Sequence, residues 1–175
     1  DLMDDLYEQL AQAIAPGLDP TNSGDAGLDL DGDGLTNLQE YDPTTGPNPS
    51  SPRTLADDVD TDDDSISDHA ENSSGIWISS TSTGSNPTLV DSDNDTLDDD
   101  KENPDTGVDG GPIFKSNPNI PDTDLDGLSD GEEVALGTKP DDQDTDGDGF
   151  EDSLEVSNGS DPLLDTSTPI SVNGI

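Results

Sequence analysis

Five twelve-residue segments of the chain carry carboxylates at a spacing that suits the cage of a hard cation. Each has Asp at positions 1, 3 and 5, Asp or Asn at position 9, and Glu at position 12. They read DLDGDGLTNLQE (29–40), DTDDDSISDHAE (60–71), DSDNDTLDDDKE (91–102), DTDLDGLSDGEE (122–133) and DTDGDGFEDSLE (144–155). Alternating acids at 1, 3 and 5 let a tightly curled loop aim three carboxylates at one centre. Position 7 offers its backbone carbonyl, position 9 ligates directly or through water, and Glu at 12 reaches back with both oxygens. The candidate ligands of the first loop are Asp29, Asp31, Asp33, Leu35, Asn37 and Glu40. Those of the second are Asp60, Asp62, Asp64, Ile66, Asp68 and Glu71, and of the third Asp91, Asp93, Asp95, Leu97, Asp99 and Glu102. The fourth supplies Asp122, Asp124, Asp126, Leu128, Asp130 and Glu133, and the fifth Asp144, Asp146, Asp148, Phe150, Asp152 and Glu155.

An all-oxygen cage of this kind suits calcium, which takes about six to eight oxygen ligands, better than magnesium, which keeps its waters in a smaller octahedron. Zinc asks for thiolate or imidazole, and the chain has no Cys and one His. Five loops imply five or more calcium ions. Gly34, Gly127 and Gly149 stand at position 6, where the loop bends sharply. Ser65 and Thr96 hold that place in loops two and three, which are expected to be the more strained or weaker sites. Clustered carboxylates repel one another without metal, so metal binding and folding are expected to be one event.

The acids are concentrated rather than spread. Five of the eight glutamates stand at position 12, and 29 of the 44 acidic residues lie in these 60 positions; a merely solvating acidic chain would distribute them evenly. The loop starts are 31, 31, 31 and 22 residues apart, so three linkers carry nine extra residues, always between Glu and the next Asp triplet. The flanks are too rich in Gly and Pro for long helices. A turn or two is predicted after each loop, as at 130–136, stopped by Gly137, and at 151–157, stopped near Gly159. The hydrophobe falls at position 7, with Leu38 or Leu154 a turn later, and is expected to pack on the neighbouring unit.

Composition bounds the fold. Only 25% of residues are hydrophobic and 3% aromatic, and the net charge is -40. Such a chain is disordered unless cations provide its core. The charge argues against nucleic acid and anionic membrane surfaces as partners. No apolar run spans a membrane, and no catalytic constellation or apolar cleft is evident, so no enzyme is expected. The expectation is an elongated, mostly irregular calcium-stabilised repeat array with short helical turns, few strands and no large hydrophobic core. Its parts are an N-terminal amphipathic helix and linker (1–27), five repeats (28–166) and an extended tail (167–175).

The runs DTDLDGLSDGEEVALGTKPDDQDTDGDGFEDSLE and SNGSDPLLDTS resemble thrombospondin type 3 repeats, most closely their cysteine-free bacterial form. Pro87, Pro118 and Pro140 stand four residues before the next loop, as in that family, while Lys139 replaces the usual Asp. The resemblance covers roughly residues 28–166 and is looser in loops two and three. It implies calcium-stabilised rods on cell surfaces or in secreted proteins, without catalysis.

Other segments carry weaker signals. Leu2, Leu6, Leu10 and Ile14 form an apolar stripe over 2–14, read as a cap or a docking helix. Ile76-Trp77-Ile78 is expected to be a short strand plugging the enlarged spacer, and Ile113-Phe114 to do the same in the next. The tail 162–175 reads as a connector or a donated strand. Sequons at Asn72, Asn94 and Asn158 are weak glycosylation signals, and His69 is expected to be exposed and not a ligand. The sequence starts at Asp1 and reads as a mature or partial product. The functional expectation is a spacer, stalk or filament subunit outside a bacterial cell, with possible head-to-tail self-association. The alternative is an accessory module of a larger secreted enzyme or adhesin.

Overall fold

The computed structural model describes residues 18, 19, 21, 22, 24–42, 52–102 and 115–169. They belong to two compact units, Asp1–Ser92 and Asp93–Ile175. The expected helix over 2–14, the Ile113-Phe114 segment and the end of the tail lie outside the described residues. Most of the described chain is turn, bend and coil. Regular structure comprises a 3-10 turn at Asp25–Gly27, helix α1 (Asn37–Tyr41), a 3-10 turn at Asp99–Lys101, and helices α2 (Asp130–Leu136) and α3 (Asp152–Asn158). Pairing between extended segments amounts to isolated bridges, Ser79 with Ser82 and Asn117 with Ile120.

Each helix starts within the last third of a loop, for a local reason. Thr36 and Ser129, at position 8, accept the backbone N–H three residues on, while Gln39 and Glu132 reach back to complete capping boxes. Gly137 and Gly159 end α2 and α3 in the left-handed conformation. Helix α2 has the bounds expected from the sequence. Helix α3 starts one residue later than expected, because Glu151 is still extended at its N-cap. Starting a helix here places positions 9 and 12 one turn apart, hence on one face.

In the first unit a small apolar cluster forms around buried Leu18, Ala26 and Ala56, with Leu30, Leu38 and Tyr41 packed against it. Arg53 lies 4.2 Å over the Tyr41 ring, a cation–π contact at its rim. The enlarged spacer before Asp91 is a small hairpin. Ser73 N–H donates to Ser85 O at 2.8 Å, Gly75 to Gly84 at 3.0 Å and Ile78 to Ser82 at 3.0 Å. Gly84 is required there: it has φ +80°, and a Cβ would stand 2.6 Å from the Ile76 backbone. The expected apolar plug is only partly formed. Side chains alternate along an extended segment, so Trp77 is half-buried while Ile76 and Ile78 are 62% and 70% exposed.

In the second unit the linker 134–143 closes on a threonine of the next loop. Lys139 N–H donates to Thr145 Oγ1 at 2.9 Å, and Asp142 N–H to Lys139 O at 3.0 Å. The same turn precedes the fourth loop, where Asn117 N–H meets Thr123 Oγ1 at 3.1 Å. It also precedes the second loop in the first unit, where Leu55 N–H meets Thr61 Oγ1 at 2.9 Å. Position 2 therefore locks each of these linkers. Pro87, Pro118 and Pro140 are buried in these turns, with Ala56 in the equivalent place before loop two.

Candidate metal centres

The loops wrap around their own carboxylates. Position 1 accepts the N–H of position 6, as Asp60 from Ser65 at 2.8 Å, Asp122 from Gly127 at 3.1 Å and Asp144 from Gly149 at 2.8 Å. Position 3 accepts from position 5, as Asp31 from Asp33 at 3.0 Å, Asp62 from Asp64 at 3.2 Å and Asp124 from Asp126 at 3.0 Å. Position 5 accepts from position 7, at 2.6 Å for Leu35, 2.7 Å for Ile66, 2.8 Å for Leu97 and Leu128, and 3.0 Å for Phe150. At position 1 both oxygens of Asp60, Asp122 and Asp144 are tied to backbone N–H groups, whereas at position 3 Oδ2 of Asp31 and Asp124 is buried without a hydrogen-bond partner. Oxygens of Asp29, Asp31 and Asp33 lie within 4.8 Å of one another, as do those of Asp60, Asp62 and Asp64 and of Asp122, Asp124 and Asp126. Asp91 and Ser92 belong to the first unit, and the rest of loop three to the second.

The curl needs left-handed backbone at two places. Position 6 has positive φ in every loop, at Gly34, Ser65, Thr96, Gly127 and Gly149. Position 4 does too, at Gly32, Asp63, Asn94, Leu125 and Gly147, a requirement the sequence reading missed. Gly32, Asn94 and Gly147 were its signal, since Gly and Asn adopt this region at least cost.

Position 12 is the deepest part of each loop. Glu40, Glu71, Glu102, Glu133 and Glu155 are all at most 1% exposed. Glu102 and Glu155 have no hydrogen-bond partner on either oxygen, and Glu40 and Glu133 have none on Oε2. The opposite oxygen of Glu40 accepts from Thr54 Oγ1 at 3.5 Å, and that of Glu133 from Thr138 Oγ1 at 3.4 Å, while Glu71 accepts from Ser85 Oγ at 2.9 Å. A Ser or Thr six residues before the next loop therefore supports Glu40, Glu71 and Glu133; Ser116, in the same place before loop four, is buried too but its Oγ has no hydrogen-bond partner. The sequence reading overlooked these residues, although the recurrence of Ser or Thr two places before Pro marks them at 85, 116 and 138.

Burial and crowding hold protons on these acids. Glu40 and Glu133 are pushed up to about 9, first by burial and then by the Asp residues around them. Glu102 is pushed to about 10 by burial, followed by Asp93, Asp95, Asp130 and Asp99 in that order. Asp31 and Asp124 rise to about 6, mainly by burial. A buried carboxylate with no donor and several like charges nearby is stable only when a proton or cation neutralises it. The donor set is all oxygen, which fits calcium.

Position 9 has a double placement. Its carboxylate accepts from position 2 of its own loop: Asp130 takes Thr123 N–H at 2.7 Å and Thr123 Oγ1 at 2.6 Å, and Asp152 takes Thr145 N–H at 3.0 Å and Oγ1 at 2.7 Å. Asp68 takes Thr61 N–H at 2.9 Å and Oγ1 at 2.7 Å. Its strongest acidic neighbour, however, is position 5 of the preceding loop. Burial raises Asp68 to about 6, and Asp33 leads the acids that add to it. Asp130 rises to about 6 in the same way, with Asp95 leading, and Asp126 leads for Asp152. The backbone makes the same junction. The position-10 N–H donates to position-5 Oδ2 of the preceding loop: His69 to Asp33 at 2.9 Å, Gly131 to Asp95 at 2.7 Å and Ser153 to Asp126 at 2.8 Å. The His69 ring is exposed, as expected. Asn37, at position 9 of the first loop, differs. Its Oδ1 accepts from Leu30 N–H at 3.2 Å and its Nδ2 donates to Asp25 O at 2.8 Å.

Residues 122–140 and 144–164 match the family model of the bacterial TSP3 repeat. These two segments are bacterial thrombospondin type 3 repeats. No curated protein and no solved structure matches the chain. TSP3 repeats form a structural, calcium-binding family rather than a catalytic one. The matched TSP3 segments contain the fourth and fifth loops and the seven and nine residues that follow them. Loops one and two share with them the braced Asp triplet and the buried Glu. No helix among the described residues is long and apolar enough to cross a membrane.

Proposed function

We propose that this chain is an extracellular calcium-binding structural protein of a bacterium, in which each loop holds one calcium and the repeats act as a stiffened spacer, stalk or filament subunit. The observation that carries it is the row of fully buried position-12 glutamates, among which Glu102 lacks a donor on both oxygens and Glu40 and Glu133 lack one on Oε2. In this reading positions 1, 3, 5 and 12 ligate within a loop, with the position-7 carbonyl. The position-9 Asp serves the ion of the preceding loop and, through Thr at position 2, holds its own loop in shape. Each ion then ties two repeats together, and the array stiffens only when the row is filled, as expected for nearest-neighbour repeats. Carboxylates and hydroxyls do no chemistry here beyond orienting oxygens and excluding water. The test is small-angle scattering with calcium and with chelator. A large increase in radius of gyration on chelation supports the proposal, and unchanged dimensions overturn it.

A further inference from the structure

Three buried hydroxyls reach the position-12 glutamates by connections of two different lengths. Thr138 follows Glu133 by 5 residues, and its Oγ1 donates to Glu133 Oε1 at 3.4 Å. Thr54 follows Glu40 by 14 residues and Ser85 follows Glu71 by 14, yet Thr54 Oγ1 meets Glu40 Oε1 at 3.5 Å and Ser85 Oγ meets Glu71 Oε1 at 2.9 Å. In the second spacer the additional residues leave as the hairpin and come back, with Ser73 N–H donating to Ser85 O at 2.8 Å. The backbone marks the same landing point in two of the linkers. Thr54 N–H donates to Glu40 O at 3.4 Å and Thr138 N–H to Glu133 O at 3.0 Å. A short path and a long path that end on the same oxygen indicate that the contact, rather than the route, is what the linker has to supply.

A glutamate side chain is long and rotamer-rich, so its carboxylate binds well only when something holds it. With Oε1 held by the hydroxyl, Oε2 of Glu40 and of Glu133 stays buried without a donor. Two places in the same chain lack the arrangement. Ser116 stands 14 residues after Glu102, as Ser85 does after Glu71. It is fully buried, but its Oγ has no partner and neither oxygen of Glu102 has a donor. The turn Gly137-Thr138-Lys139-Pro140 also recurs as Gly17-Leu18-Asp19-Pro20, where Ala13 stands in the place of Glu133. With no glutamate to hold, the hydroxyl is replaced by Leu18, which is fully buried in the apolar cluster.

We propose that Thr138, Thr54 and Ser85 are positioning residues for the cation sites, each holding one carboxylate oxygen of its glutamate and leaving the other for the ion. Ser116 does not act on Glu102 in this way, so the third loop binds without that help. The proposal rests on the loop reading above.

The test uses the intact chain with calcium alone as the probe, and ions are counted by native mass spectrometry as calcium is raised in steps. Thr138→Val removes the hydroxyl and keeps the shape of the side chain, and Thr138→Ser keeps the hydroxyl. Ser116→Ala, Glu133→Gln and the double variant Glu133→Gln with Thr138→Val complete the set. Thr138→Val should weaken one site by about tenfold or more and leave the others unchanged. Thr138→Ser should bind as the parent does, and so should Ser116→Ala. Glu133→Gln should bind one ion fewer, and Thr138→Val should have no further effect in that background. A hydroxyl that only packs the linker would weaken every site of its unit together and would act equally with or without Glu133. That result overturns the proposal, as does parental binding by Thr138→Val, failure of Thr138→Ser to bind as the parent does, or a loss in Ser116→Ala as large as that in Thr138→Val. In each of these cases Glu133→Gln still loses its ion and the loop reading stands. If Glu133→Gln keeps every ion, the loop reading falls and the proposal with it.

Discussion

Asp130→Asn separates the two assignments of position 9. The substitution keeps an acceptor for the Thr123 N–H, as Asn37 does for Leu30 N–H, so the fold of loop four is preserved. What it removes is a negative charge beside Glu102, where Asp130 ranks behind only Asp93 and Asp95 among the neighbouring acids. With calcium at a hundred times the dissociation constant, one bound ion stabilises the folded chain by about 2.7 kcal/mol. A hundredfold loss of affinity leaves about 0.4 kcal/mol, so the site forfeits about 2.3 kcal/mol. The lost Thr123 Oγ1 bond adds about 1 kcal/mol that does not depend on calcium. The assay is ion counting by native mass spectrometry, paired with urea unfolding at two calcium concentrations. Asp130→Asn and Glu102→Gln should each lose one ion, and the double variant should also lose only one. Asp130→Asn with Glu133→Gln should lose two, with calcium-dependent stability losses additive within about 0.5 kcal/mol. The opposite pattern, two lost with Glu102→Gln and one with Glu133→Gln, would refute the shared-ligand reasoning and return position 9 to its own loop.

Four further outcomes are expected. Ser65→Gly and Thr96→Gly should each stabilise the calcium form by about 1 kcal/mol, because both residues hold positive φ; unchanged urea midpoints would show that the strain is absent. Gly131→Ala should cost about 2 kcal/mol or more, since its Cβ would stand 2.4 Å from the Asp95 carbonyl oxygen, and a neutral result would mean that this junction is looser than it appears. The carboxyls of Glu40, Glu102 and Glu133 in the metal-free fold lie above their unfolded values, at about 9 to 10. Their protonation stabilises that fold fully below about pH 4.5, and the contribution fades as pH rises toward 9 to 10. In chelator, stability should therefore increase from pH 8 to pH 5. Calcium added at pH 7 should release protons, measurable in weak buffer; no release would contradict the raised values.

The convergence of the acids in each loop was legible because meeting at one point constrains their spacing directly. The triplet Asp122, Asp124, Asp126 and its Glu133 cannot move a residue without losing the centre. The stop of α2 at Gly137 was legible for the same kind of local reason. The role of position 9 was not legible, because a carboxylate that faces the preceding repeat has the same spacing in sequence as one that faces its own. Asn37, the one exception to Asp at that position, was the available hint. The exposure of Ile76 and Ile78 was also hidden. Their hydrophobicity suggested burial, but the hairpin turns only Trp77 inward, and the linker cores are filled instead by small residues such as Thr83, Ser85 and Ala70. The buried Ser and Thr that support Glu40, Glu71 and Glu133 were masked by a composition rich in both residues.

The most direct test of the account is the number of calcium ions bound by the intact chain, counted by native mass spectrometry and checked by elemental analysis. At least five ions per chain are predicted, one for each buried glutamate at 40, 71, 102, 133 and 155. Two or fewer ions at millimolar calcium would contradict it.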